Sequence, residues 1–322
     1  MLYQLSYIPT SVLIIGSNPG KVNLLRHKTL HQVLSKTQIL AIVGLTLVTS
    51  TVISYALKSK DPERVPLVPP QRFRAWWMLV AGLVMAHVLG SNPKLGPIPQ
   101  LLGFAMLSVL ATRQFLTHLK NEPTRHTKVV CYLSAVLQYC WIYIHWYGFF
   151  VVFVPVFLFL YLPVSGSFRE EADSPLLETA SLHWVMMTAV FCLSHAAYLL
   201  ILPGGKGLLF FVVLLTEVAD AARMLLAPNP IGKKYSPLLS CLTAVTVAWV
   251  VGPAFTPLSQ EHTLLAGLVL GVAGSIGHAN ISKLSEEMNI QRGGALERIE
   301  SLAYTAPIFL HGYRYFDYPF TG

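Results

Sequence analysis

Apolar residues in this chain come in long runs, set apart by short polar or proline-rich punctuation. A bilayer core takes about 20 apolar residues per helix, and fewer where spans are short and packed. Runs of that kind cover residues 38–57, 75–90, 101–117, 129–144, 148–163, 183–202, 207–226, 239–255, 264–281 and 301–316. Several are short, so the pattern predicts about eight to ten spans. Pro66-Leu67-Val68-Pro69-Pro70, Ser91-Asn92-Pro93, Pro203-Gly204-Gly205 and Pro228-Asn229-Pro230 read as the connections between them. No stretch long and polar enough for a soluble domain interrupts the series, and no internal repeat is visible. The fold class expected is all-α, a polytopic integral membrane protein. Its expected organisation is a basic, interfacial N-terminal segment (1–37), a first group of transmembrane helices (38–206) and a C-terminal transmembrane region (207–322).

Composition agrees with the pattern. Of 322 residues, 54% are hydrophobic and 12% are charged, against roughly 25% charged in an average soluble domain. So few charges could not cover a water-soluble surface. Residues 11–16 are apolar with no basic residue ahead of the run inside the tail, so a cleaved signal peptide is not expected. Cys131, Cys140, Cys192 and Cys241 all fall in apolar runs without ligand spacing and read as small core residues. His87, His145 and His195 sit singly in apolar surroundings and read as core residues too.

The net charge of +8 bears on orientation rather than on nucleic acid. With ten spans, 14 of the 23 Lys and Arg lie in the loops after the odd-numbered runs, from Lys58 to Arg298. Seven lie on the opposite side, among them Lys206 and Arg314, and Arg113 and Arg223 fall within runs. The richer side is expected to be cytoplasmic, which places the protein in a cell inner membrane or its equivalent with the loops that carry chemistry facing the cytoplasm.

Ionisable groups inside a bilayer are expensive and point to function or to mutual neutralisation. Glu217, Asp220 and Arg223 recur at i, i+3, i+6 near the end of one run, on one helix face. They fit either a self-neutralising cluster or a polar site at the membrane boundary. The following segment, Gly232-Lys233-Lys234-Tyr235-Ser236-Pro237-Leu238-Leu239-Ser240, reads as a loop whose lysines suit phosphates or anionic headgroups. A second cluster runs from Gly277-His278 to Ser282-Lys283, then Arg292-Gly293-Gly294 and Leu296-Glu297-Arg298-Ile299-Glu300-Ser301. His278 and Ser282 are i, i+4, and Glu297 and Glu300 are i, i+3. Such groups beside Arg292 fit a divalent cation with phosphate oxygens, or else a solvated amphipathic hairpin.

In this order the two clusters resemble the CDP-diacylglycerol synthases (phosphatidate cytidylyltransferases). Arg72-Phe73-Arg74-Ala75-Trp76-Trp77, Ala111-Thr112-Arg113-Gln114-Phe115, Gln138-Tyr139-Cys140-Trp141, Phe153-Val154-Pro155 and Leu193-Ser194-His195 are similar to landmarks of one bacterial branch. The resemblance runs from about residue 72 to residue 316. Asp220 matches the aspartate before the family's Gly-Lys loop, Gly232 and Lys233 match that loop, and Ser240 matches the serine of its Ser-Pro-x-Lys-Thr motif. Gly277 and Ser282 match the downstream signature, and Leu296-Glu297-Arg298-Ile299-Glu300-Ser301 matches its last motif with both aspartates replaced by glutamate. The motif lysine has no counterpart. His278 stands where an aspartate is expected, Ser285 and Glu286 replace a Lys-Arg pair, and Arg292 replaces a histidine.

The resemblance implies a membrane nucleotidyltransferase of phospholipid biosynthesis. Such an enzyme condenses CTP with phosphatidate, or a related lipid phosphate, to CDP-diacylglycerol and pyrophosphate. Ser240, Ser282 and Asp220 would be catalytic, and Lys233, Lys234, Arg298 and Arg292 would contact phosphates. Glu297, Glu300 and His278 would hold the cation, Mg²⁺ by resemblance, with Mn²⁺ favoured by an imidazole ligand. A homodimer is a further expectation. The replaced residues leave a second expectation open: a catalytically inactive relative that binds lipid or serves in assembly.

Overall fold

The computed structural model describes residues 44, 96–119, 122–166, 175–226, 230–287, 299 and 301–316, without the side chains of residues 165, 166, 175, 224–226 and 230–233. Among the described residues the secondary structure is helical and includes no strand. Helix α1 is Ile98–Leu116 and α2 is Arg125–Tyr143. Helix α3 covers residues 147–166 and α4 covers 175–201. Then come α5 (Gly205–Leu226), α6 (Pro230–Phe255), α7 (Gln260–Glu287) and α8 (Leu302–Phe316).

Local chemistry explains most of these boundaries. Thr124 caps α2 by accepting the N–H of Thr127 at 3.2 Å. Ser259 caps α7 by accepting the N–H of His262 at 3.2 Å. The break between α4 and α5 falls at Pro203-Gly204, where Gly204 takes a φ of 72° that a side chain would strain. Helix α3 contains a π turn over Phe153–Leu158, and Pro155 within it has no N–H to give. A second π turn, Met187–Cys192, lies in α4.

Four helical stretches are long and apolar enough to cross a membrane: Tyr147–Val164, Leu176–Ile201, Lys234–Phe255 and Gln260–Glu287. They correspond to the runs at 148–163, 183–202, 239–255 and 264–281. The runs at 101–117, 129–144, 207–226 and 301–316 are helices as well. Of the run at 38–57 only Gly44 is described, in a helical conformation, and the run at 75–90 and segment 1–37 lie outside the described residues. Segment 232–240, read as a loop, belongs to α6, which starts at Pro230. Proline at a first helical position is already set to the helical φ, so the Pro-Asn-Pro signal starts a helix there.

A continuous hydrophobic core joins Leu101 and Phe115 of α1 to Leu208 and Phe211 of α5, Leu270 of α7 and Phe309 and Tyr313 of α8. A smaller apolar cluster, including Cys131, Leu158, Leu162 and Met186, fills the space between α2, α3 and α4. Large apolar side chains also stand exposed, including Leu102 and Met106 on α1, Leu238 and Leu242 on α6 and Leu268 and Ile276 on α7. The cysteines follow both patterns: Cys131 is buried, while Cys140, read as a core residue, is exposed because it lies on the outer face of α2. His145 is likewise exposed, in the turn after α2 at a φ of 59°, and so is not a core residue. His87 lies outside the described residues.

Close backbone approach places α7 against α6 and α8. A Cβ at Gly267 would lie 2.7 Å from the Ala248 Cβ, and one at Gly271 would lie 2.7 Å from the Cys241 Cα. Small residues four apart let membrane helices pack at such distances. On another face of α7, a Cβ at Gly277 would strike the Tyr304 side chain of α8 at 2.8 Å. This packing brings the start of α8 next to the end of α5.

Candidate functional site

The end of α5 and the start of α8 meet in a polar contact. Asp220 and Arg223 share one face of α5, and the Arg223 Nη2 donates to Asp220 Oδ1 at 2.6 Å. Ser301, just ahead of α8, donates its hydroxyl to the other carboxylate oxygen, Oδ2, at 2.6 Å. The Ser301 carbonyl accepts the N–H of Thr305 at 3.0 Å and so starts the helix ladder, while its side chain is used on α5. One turn deeper, Thr216 of α5 and Thr305 of α8 share a buried hydrogen bond of 3.0 Å. Ile299, in the same motif as Ser301, is fully buried in the core and anchors that motif.

These contacts are enclosed. The Arg223 side chain is 7% exposed and that of Asp220 is 14% exposed. A single ion pair uses only part of a guanidinium, which carries five N–H donors. The Arg223 Nε and Nη1 are buried and have no hydrogen-bond partner among the described residues. The same is true of the Ser240 Oγ on α6.

The other residues singled out from sequence divide into three groups. His278 and Ser282 lie on one face of α7, partly buried, with the His278 Nε2 3.5 Å from the Ser282 Oγ. Lys234 is exposed on α6, its Nζ 5.9 Å from the Tyr235 ring centroid; Lys233 lies in the same helix, with its side chain outside the description. Arg292, Glu297, Arg298 and Glu300 lie outside the described residues. Ser301 was legible only as the last letter of a motif, and its contact with Asp220 was not read from the sequence.

A divalent cation finds a poor set of ligands among the described residues. No group of three or more His, Cys, Asp or Glu stands together among them. Both oxygens of Asp220 are already bound by an arginine and a serine. Asp220 thereby links Arg223 on its own helix to Ser301 ahead of α8.

A second polar cluster, which the sequence did not reveal, lies toward the other end of α8. Arg314, counted from the sequence among the charges on the side opposite the cytoplasm, is buried in α8. Its guanidinium lies 3.6 Å from the centroid of the Tyr147 ring, and its Nη1 donates to the Tyr198 hydroxyl at 3.2 Å. Tyr147 pairs its hydroxyl with the His311 Nδ1 at 3.3 Å. His311 in turn packs edge-on to His195 at 5.1 Å. His195 is fully buried, with its Nδ1 2.7 Å from the Phe191 carbonyl oxygen. It is a core residue as read from sequence, but a member of a cluster and not a single histidine.

Among known proteins, one from Escherichia coli (strain K12), described as "Uncharacterized protein YnbB", is similar to this chain: 29% identical, covering 87% of this chain and 98% of that protein. No family model matches the chain, and no solved structure matches it.

Proposed function

We propose that this chain is a polytopic membrane protein that condenses CTP with phosphatidate, or a related lipid phosphate, to CDP-diacylglycerol and pyrophosphate. The observation that carries this reading is the hydrogen bond from Ser301 to Asp220, with Arg223 on the other carboxylate oxygen. It joins the two sequence clusters that the resemblance assigns to one site. The four apolar helices and the exposed apolar side chains on α1, α6 and α7 support a bilayer environment. The charge distribution along the sequence favours a cytoplasmic Asp220 end, where CTP is available.

In this reaction a phosphate oxygen of phosphatidate attacks the α-phosphorus of CTP. A P–O bond forms, the α–β phosphoanhydride bond breaks, and pyrophosphate leaves with the electron pair. Charge concentrates on the phosphates throughout, so fixed donors and cations are the main resource. Arg223 and Lys234 supply positive charge, His278 orients the Ser282 hydroxyl, and Asp220 fixes Arg223 and Ser301. A divalent cation, by resemblance at Glu297, Glu300 and His278, would screen the two phosphate-rich reactants when bound. Lys233, Arg292 and Arg298 would complete the phosphate contacts.

The test is to incubate purified protein in detergent with labelled CTP, phosphatidate and Mg²⁺ or Mn²⁺. CDP-lipid and pyrophosphate should form in equal amounts, and Ser282→Ala and Glu297→Ala should abolish both. No CDP-lipid with either ion, across several lipid phosphates, contradicts the proposal. One observation favours a second reading, an inactive relative that binds lipid phosphate: Asp220 is saturated and Ser240 is enclosed. That protein would retain phosphatidate without turning over CTP.

A further inference from the structure

We infer that Arg223 is a built-in phosphate anchor, which holds a phosphate monoester at the Asp220 end without help from a metal. The inference rests on the proposed function only for the identity of the site. The resemblance assigns no role to this position.

An arginine in the last turn of a helix is explained in part by the helix dipole, and in part by its ion pair with Asp220. Neither uses the donors that remain. Nε and Nη1 together carry three N–H groups, all buried and without a partner among the described residues, on a side chain more than nine-tenths buried. Buried donors left unmet are costly, and those on a charged group more so. Asp220 holds the guanidinium by Nη2, and Ser301 holds Asp220 from the opposite side. The donors are therefore fixed in direction before any ligand arrives, which lowers the ordering cost of binding.

The ligand these donors suit is an oxyanion with several acceptors. A phosphate monoester offers three terminal oxygens and up to two negative charges, and guanidinium–phosphate contacts are strong and directional. A carboxylate offers two oxygens and would face Asp220 across the arginine. The chain lacks the motif lysine and the Lys-Arg pair of the family it resembles. Arg223 supplies a cation that those residues do not.

The experiment measures phosphatidate binding to the full-length protein in neutral detergent with EDTA present, by native mass spectrometry, with diacylglycerol as the control lipid. Wild type should retain phosphatidate over diacylglycerol. Arg223→Gln should weaken phosphatidate binding by about 10- to 100-fold, the range for hydrogen bonds to a charged group. Because Arg223→Gln leaves Asp220 alone in a buried place, the double variant Asp220→Asn/Arg223→Gln removes both charges together and should show the same loss. Competition separates the sources of phosphate. Displacement by inorganic phosphate or CTP, with the same Arg223 dependence, assigns the anchor to the nucleotide side; resistance to both assigns it to the lipid.

Equal phosphatidate affinity in wild type and both variants overturns the inference, and so does binding that appears only when Mg²⁺ is restored. The proposed function fails separately. Arg223-dependent binding without any CDP-lipid leaves the anchor standing and removes the enzyme. Turnover with an unchanged KM for phosphatidate in Arg223→Gln does the reverse.

Discussion

Arg223 and Arg314 are both more than 90% buried, and they stand toward opposite ends of α8. The stretch from Ser301 to Arg314 spans about 20 Å at the usual helical rise. Their surroundings differ in kind. Arg223 is neutralised by one carboxylate at 2.6 Å and keeps directional donors unspent. Arg314 lies flat on the Tyr147 ring at 3.6 Å and gives a hydrogen bond to Tyr198. Aromatic faces spread the attraction for a cation over a surface, and in doing so they cover it. The carboxylate satisfies one edge and leaves Nε and Nη1 without a partner among the described residues. The first arrangement suits recognition of an anion, and the second suits tying together α3, α4 and α8.

The strongest way to break this comparison is to remove the carboxylate. Asp220→Ala leaves Arg223 charged, buried and unpaired, and should cost about 3 kcal/mol or more. Thermal unfolding in detergent should show it as the largest loss among these variants. Arg314→Gln should leave phosphatidate affinity unchanged, since its guanidinium lies over the Tyr147 ring and bonds the Tyr198 hydroxyl.

The supporting glycines come next. Gly271→Ala places a methyl group 2.7 Å from the Cys241 Cα, which is backbone and cannot turn aside. The resulting overpacking should cost about 1–3 kcal/mol. Gly274→Ala meets Thr305 and Ser301 only at 3.6 and 3.8 Å, which is ordinary contact, and should be close to neutral. Similar losses in both variants would mean that the α6–α7 seam is not the tight one.

At the Arg314 end, Tyr147→Leu removes the ring beneath the guanidinium and should cost about 1–2 kcal/mol. Tyr147→Phe keeps the ring and loses the hydrogen bond to His311, at about 1 kcal/mol or less. Equal effects would place the energy in the hydroxyl and not in the face.

The smallest effect is expected at the connection between α1 and α2. There the Lys128 ammonium holds the Glu122 carboxyl below the ordinary carboxylate range through a hydrogen bond and its charge. A lowered folded-state value means the contribution is complete above the ordinary range and is lost as pH falls through the lowered one. Glu122 is exposed, so Lys128→Ala should leave the unfolding temperature at neutral pH unchanged within error.

Much of the helical organisation was legible in the sequence, because membrane-length apolar runs have few alternative folds. The four helices long enough to cross a bilayer fall on four of the predicted runs. The start of α6 was not legible, since Pro-Asn-Pro and Gly-Lys-Lys serve equally as loop signals and as the first turn of a helix. Asp220 and Arg223 were visible from their spacing on one helix face, whereas the contact with Ser301 depends on how α7 seats α8. Arg314 was misplaced for a similar reason. A charge near the end of an apolar run looks like a loop residue until Tyr147 and Tyr198 are brought beside it.

The most direct test of the difference between the two arginines is a cryo-electron microscopy structure of the full chain with phosphatidate bound in EDTA. The expected result is phosphate density within about 3 Å of the Arg223 Nε or Nη1, a normal distance for a charge-assisted hydrogen bond. Phosphate density at the Arg314 end, with Arg223 contacting only Asp220, would contradict it.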